Sequence, residues 1–305
     1  MLNTTDEHIN SSFEVRYLAS LVGMSAAFAF LNTFFSITAI LGNILILIAL
    51  NKVTSIRPPT KLLFRCLAVT DLCVGLITQP LFIVTLLASS NVHEYVVGIQ
   101  QASSVVLCGV SLLTSTAISV DRLLALSLGL RYRIVVTLRR VRALIISFWV
   151  LLVALAGCIY ILDIFFIVYG VVMLISLLIS AISYANIYFR LRHQLLYVQG
   201  HVHQRQQLPP NGVVSSALNV ERYKKTVSVI LWIQLGLFAC YSPVCVYLVS
   251  WHFEKFWDTN VIDYLICLLF INSSLNPILY CWKIREVKEA VKDTIRQLNC
   301  CCEKN

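Results

Sequence analysis

Long apolar stretches separated by short polar and basic ones set the pattern of this chain. Seven of them approach the ~20 residues a helix needs to cross a hydrocarbon core, near 24–50, 62–88, 97–128, 141–162, 164–190, 225–251 and 260–282. Polar residues inside them recur at helical spacing, which predicts helices with a polar stripe turned toward a packed interior. Ser111, Ser115 and Ser119 make one stripe; Asn272, Asn276 and Tyr280 make another. The stretch 283–298 differs: charges alternate with Ile284, Val287, Val291, Ile295 and Leu298, an amphipathic helix suited to a membrane surface. The pattern predicts an all-α membrane protein, a seven-transmembrane helix bundle with a short amphipathic eighth helix. Residues 1–23 are expected as an N-terminal segment, 24–282 as the bundle, and 283–305 as the amphipathic helix and tail.

The connections are uneven. Runs four and five almost abut at Asp163-Ile164, which leaves room only for a tight turn. Residues 193–221 read as a polar loop with a turn at Pro209-Pro210-Asn211-Gly212. Proline interrupts run six at Pro243 and run seven at Pro277. Each frees a backbone carbonyl and bends its helix, which a membrane tolerates only where polar groups or water re-satisfy the backbone.

Composition agrees with a membrane protein: of 305 residues 58% are hydrophobic and 13% charged, against roughly a quarter charged in soluble domains. All of the 24 Lys and Arg except Arg16 and Lys255 fall on one side of the seven runs. The positive-inside rule then puts the amino terminus outside and the carboxyl terminus inside. A +9 charge arranged this way faces anionic lipid and acidic partners, not nucleic acid. Of the 11 cysteines, Cys66, Cys73, Cys108, Cys158, Cys240, Cys245, Cys267 and Cys281 lie in or beside spans and serve as small apolar fillers. Cys300, Cys301 and Cys302 follow the amphipathic helix and are candidates for palmitoylation. Asn3 and Asn10 head glycan acceptor patterns; the same pattern at Asn272 lies inside a span. No cleavable signal peptide is expected, since residues 1–23 lack a basic start and short apolar core.

The chemistry sits in a few polar residues at membrane depth. Asp71 is a carboxylate two to three turns inside run two, costly unless it meets a cation, a proton or several donors. Arg122 ends run three beside Asp121, able to pair with it or reach water. Neither a histidine cluster nor a ligand set for catalysis lies in the runs: His8, His93 and His252 are scattered and His193, His201 and His203 sit in the polar loop. The chain reads as a non-enzyme.

Gly42-Asn43, Leu67-Ala68-Val69-Thr70-Asp71, Asp121-Arg122-Leu123, Trp149, Tyr184, Pro243 and Asn276-Pro277-Ile278-Leu279-Tyr280, each in its own span, resemble the rhodopsin-like (class A) G-protein-coupled receptors over about 36–298. The resemblance implies a plasma-membrane receptor that activates heterotrimeric G proteins through outward movement of helix six. It implies a sodium-binding pocket at Asp71, Ser111, Asn272 and Asn276, with no other cofactor. It also implies a switch of Asp121, Arg122, Tyr184, Tyr241, Pro243, Asn276, Pro277 and Tyr280, in which Arg122 leaves Asp121 for Tyr184, Tyr280 and the G protein.

Departures from the family are informative. Val97 stands where the external disulfide cysteine would be, Ser176 replaces a proline in segment five, and Tyr241 replaces the toggle tryptophan. Tyr223 stands where an acid would lock Arg122, which implies raised basal signalling. The missing disulfide and the short second outer loop resemble the melanocortin, cannabinoid, lysophospholipid and adenosine branch, the melanocortin type most. That type's acidic peptide and calcium site maps to Leu81, Val97 and Gln101, none acidic, which disfavours a basic peptide. Ser104 removes the amine counter-ion and Phe270 the retinal lysine. The implied ligand lining, Phe82, Gln101, Ser104, Val105, Cys108, Val168, Val244, Leu248, Ile266 and Phe270, is mostly apolar and suits a lipid or other hydrophobic molecule. Glu94 and Asp263 near the rim keep a peptide ligand open. A seven-span transporter or channel is the competing class; it predicts repeated halves or charged rings, and neither pattern is present.

Overall fold

The computed structural model describes the backbone over residues 3–87, 93–158, 165–204, 235–250, 259–283 and 285–302, and Trp232. Ten α-helices follow in order. They are α1 (Asn3–Lys52), α2 (Pro58–Cys73), α3 (Gln79–Leu87), α4 (His93–Leu128), α5 (Tyr132–Val135), α6 (Leu138–Gly157), α7 (Phe165–Gln204), α8 (Leu235–Ser250), α9 (Thr259–Lys283) and α10 (Arg285–Cys302). Among the described residues there is no strand, as the patterning requires. Six helices are long and apolar enough to span a membrane, and α8 is a shorter apolar helix in the sixth run. The molecule is a multi-pass membrane protein.

Helix α4 is the axis of the bundle. It packs on α2, α6 and α7, while α1 packs on α2, α3, α9 and α10. The main core joins Val74, Phe82, Leu112, Leu152, Met173, Leu177, Tyr241 and Phe270 from six helices and the turn that follows α2, with Trp149 half-buried against it. A second core gathers Ile46, Leu50, Leu63, Leu67, Ile118, Tyr132 and Val141 toward the basic end. Apolar side chains such as Phe30, Ile146, Val150 and Ile182 point outward, the face a lipid solvent calls for.

Two breaks position the polar residues. Helix α2 passes into α3 through a π-turn at Val74–Thr78, just before Pro80, whose ring supplies no N–H to the ladder. The Gly75 carbonyl in that turn accepts the Ser36 hydroxyl at 2.7 Å, so α1 satisfies what the turn releases. Helix α9 runs through Pro277, and Gly42 of α1 makes room for it. A Cβ on Gly42 would lie 2.8 Å from Pro277 Cβ.

Two expectations change, and one departure from the family pattern finds its structural reason. Residues 193–204, expected as loop, continue α7, because nothing before Pro209 forbids helix and Leu195, Leu196 and Val198 keep helical spacing. The N-terminal segment expected as a separate piece is helical from Asn3 and continuous with α1. Helix α7 passes Ser176 unbroken, its hydroxyl donating to Val172 O at 2.8 Å where a proline would leave that ladder incomplete. The Asp163-Ile164 junction and the Pro209–Gly212 turn lie outside the described residues.

Candidate functional site

At the heart of the bundle Asp71 is 0% exposed and receives three donors. Ser111 Oγ donates to Oδ1 at 2.8 Å, Ser273 Oγ to the same oxygen at 2.9 Å, and Asn276 Nδ2 to Oδ2 at 2.7 Å. Helices α2, α4 and α9 therefore meet on one carboxylate. Three hydrogen bonds to a buried acid are what its burial demands. Asn43 extends the network, donating from Nδ2 to Ala39 O at 2.8 Å and to Ser273 O at 3.2 Å. Asp71, Ser111 and Asn276, grouped by the resemblance, are brought together by these hydrogen bonds. Asn272 is buried nearby, but its Nδ2 has no partner among the described residues, and Ser273 takes the place expected of it. Ser273 lies three residues before Asn276, on the same helical face, and that spacing was the available signal.

At the basic end Asp121 is buried and spoken for. Tyr132 Oη donates to Oδ1 at 2.6 Å, and Thr60 Oγ1 donates to Oδ2 at 3.0 Å. The Arg122 guanidinium lies only at the edge of ion pairing, Nε to Oδ2 at 4.0 Å, with its side chain 44% exposed. So exposed a pair contributes little. The same guanidinium lies 5.6 Å over the Phe64 ring, while Arg57 stacks at 4.5 Å on Tyr132. Asp121 thus ties the start of α2 and the short α5 to α4, and Arg122 is left able to move. Tyr184 is buried with Ile187 and Leu191 against Leu123 and Leu126. The side chain of Tyr280, Tyr223, and the side chains of Asn3, Asn10, Cys300, Cys301 and Cys302 lie outside the described residues.

In the other half, Tyr241 of α8 is fully buried, and its hydroxyl donates to Cys108 O of α4 at 3.1 Å. Two residues on, Pro243 supplies no N–H to α8. Tyr241 thus ties α8 to α4 by a side-chain hydrogen bond next to a weak point in α8. Above it a cavity of about 110 Å³ is lined mainly by apolar atoms. Gln101, Ser104, Val105, Val244, Leu248 and Ile266 face it as expected, joined by Gln100, Tyr169, Tyr247 and Phe165. The other expected lining residues do not. Phe82 and Phe270 pack edge-to-face at 5.6 Å beneath it, and Cys108 is buried where it accepts Tyr241. Val168 is 40% exposed on the outer side of α7, and its neighbour Tyr169 points inward to the cavity.

Among the described residues no group of His, Cys, Asp and Glu is arranged to hold a transition metal. Described cysteines are all free thiols.

Residues 42–165 match the family described as 7 transmembrane receptor (rhodopsin family). The chain is 25% identical over 287 residues to melanocortin receptor 4 of Danio rerio, covering 87% of this chain and 81% of that protein. It is 24% identical over 280 residues to melanocortin receptor 3 of Rattus norvegicus, covering 85% and 82%. Adenosine receptor A3 of Ovis aries is 26% identical over 278 residues, covering 82% of this chain and 84% of its own.

Proposed function

We propose that the chain is a rhodopsin-like receptor, a reading its motifs, helical bundle and relatives support, and that it senses a ligand at the Tyr241 end and passes the signal to a heterotrimeric G protein at the Arg122 end. The amino terminus is extracellular and the membrane is the plasma membrane, in keeping with the basic belt on the opposite side. The observation that carries the reading is the linked polar core. One carboxylate joins α2, α4 and α9 in mid-bundle, and one tyrosine hydroxyl joins α8 to α4 just above it.

The mechanism follows from which contacts are weak. The ligand cavity is bounded by α4, α7, α8 and α9, and Val244 and Leu248 of α8 face it one and two turns from Tyr241. A ligand that displaces those side chains shifts the Tyr241 hydroxyl from Cys108 O, and Pro243 lets α8 pivot there. Arg122, held to Asp121 only at 4.0 Å, then turns toward the partner at low cost. Ligand and G protein bias one two-state equilibrium from opposite ends, so each raises the other's affinity.

The fully buried Asp71, with Ser111, Ser273, Asn272 and Asn276 around it, is a set of hard oxygen donors that fits a sodium ion. Bound there, the cation supplies the positive charge a buried carboxylate lacks. Support for the ion rests on the Asp71 carboxylate and the Ser111 and Ser273 hydroxyl oxygens, since the unpartnered Asn272 atom is an N–H donor that a cation does not satisfy. The cavity's lining favours a lipid or other hydrophobic ligand over a basic peptide. A peptide of melanocortin kind is the second reading, favoured by the relatives' names and by Glu94 and Asp263.

Nucleotide exchange on purified heterotrimers tests this directly, with the full chain in nanodiscs. Exchange above that of empty nanodiscs is expected for at least one G-protein class, falling as sodium replaces a large organic cation at constant ionic strength. No exchange on any class would refute the coupling; exchange indifferent to sodium would refute the sodium pocket alone.

A further inference from the structure

We propose that a groove between α4, α6 and α7, at the basic end of the bundle, binds one acyl chain of an anionic phospholipid, with Arg140 at its mouth holding the headgroup. The groove has a volume of about 470 Å³, within the ~300–1,000 Å³ of specific small-molecule sites. It lies apart from the ligand cavity and shares no lining residue with it. Leu113, Ala117, Leu144, Phe148, Ile175 and Ile179 give it an almost wholly apolar wall. Such a space excludes water and takes hydrocarbon. Leu144, Ile175 and Ile179 are also exposed, so the groove opens sideways into the bilayer, where acyl chains are the available solvent.

The mouth decides the headgroup. Arg140 lines the groove, is exposed, and donates from Nη1 to Val135 O at 2.8 Å and Ile134 O at 3.3 Å. Those two bonds fix the guanidinium over the opening, and its Nη2 and Nε have no partner among the described residues. Arg139 and Arg142 are exposed beside it on α6, and Arg133 on α5. Arg140 at the opening, with the basic surface these neighbours give the same end of the bundle, selects an anionic headgroup over a zwitterionic one. Asp121, the one acid on the wall, already accepts from Tyr132 and Thr60 and sets no rival charge at the mouth.

The position gives such a lipid a consequence. A single chain in the groove touches α4, α7 and the residues Val135 and Val136 that follow Tyr132. It therefore braces the hydrogen bond between Tyr132 and Asp121 and the one from Thr116 Oγ1 to Ser176 O, 3.2 Å across the α4–α7 seam. Binding to this arrangement favours it by mass action. The inference needs the proposed orientation only to name the inner leaflet, and its test does not involve G protein.

The test uses the full-length chain in phosphatidylcholine nanodiscs doped with phosphatidylserine carrying a diazirine on one acyl chain. Adducts are mapped by mass spectrometry after illumination. They are expected to concentrate on residues 113–124, 141–148 and 172–179. Arg140→Gln, with folding checked by thermal unfolding, is expected to lower them about 5-fold, the effect of one basic residue at a membrane surface. Ala117→Trp, which fills the groove, should abolish them, and Leu151→Trp on the open lipid face should leave them unchanged. Equal labelling by a phosphatidylcholine probe, adducts spread evenly round the bundle, indifference to Arg140→Gln, or stronger groove labelling by a free fatty-acid probe would each overturn the proposal.

Discussion

Asp71 shows how one residue's surroundings fix what may replace it. Its two oxygens accept from Ser111, Ser273 and Asn276. In Asp71→Asn the Asn276 amide has only to turn over to restore acceptor against donor. In Asp71→Leu three buried donors lose their acceptor, at about 1–3 kcal/mol each. We expect Asp71→Asn to reach the cell surface like wild type and Asp71→Leu to fall several-fold, read by flow cytometry of a tagged chain. Glycine gives a second contrast. A Cβ on Gly42 meets the rigid ring of Pro277 at 2.8 Å, whereas one on Gly109 meets the end of the flexible Leu152 side chain at 2.8 Å. Gly42→Ala should cost about 1–3 kcal/mol and lower the unfolding temperature more than Gly109→Ala; the reverse order would mean the α1–α9 approach is looser than its geometry. Which of these residues were legible in the sequence follows the same logic. Asp71 and Asn276 announce themselves, being polar residues at membrane depth on helical spacing. Thr60 and Tyr132 do not: they reach Asp121 from 61 and 11 residues away, and no local period reports such a meeting.

Among the elements, the seven apolar runs were plain because length and hydropathy alone dictate a spanning helix. The π-turn at Val74–Thr78 was not, since a single extra residue in the ladder leaves no mark on a hydropathy pattern. The rotation of α7, and hence the choice of Tyr169 over Val168, was written only in Ser176, Ser180 and Ser183, a buried stripe at helical spacing in an otherwise apolar helix. Helix α10 is the opposite case. Its strict apolar stripe places Val291 in the second core, and Lys52 Nζ donates to Thr294 Oγ1 at 2.9 Å to pin it to α1. Val291→Asp would put a charge there and remove about 1.5–3 kcal/mol of burial. Faster hydrogen exchange confined to residues 285–302 is the expected result. In α8 the Tyr241 hydroxyl is the tether. Tyr241→Phe forfeits about 1 kcal/mol and should raise ligand-free signalling roughly 5-fold at equal expression; output at or below wild type would show that this bond does not restrain α8.

For the whole molecule, the polar core and the two ends form one coupled system. Apolar packing holds α4 against four neighbours, so the bundle has a rigid axis. On the proposed mechanism, the contacts that change on activation are few: one hydroxyl to Cys108, one long Arg122–Asp121 approach, and the hydrogen bonds on Asp71. A total difference of a few kcal/mol is what a ligand's differential affinity can overcome. That balance, with no acidic lock at Tyr223, accounts for the basal output expected from the sequence.

Ligand-free dissociation of each main class of heterotrimeric G protein in cells tests this most directly, comparing wild type, Asp71→Asn and Arg122→Ala at matched surface expression. The account predicts output above mock-transfected cells for wild type, a changed output for Asp71→Asn, and a return to the mock level for Arg122→Ala. Identical output from all three chains in every class would contradict it.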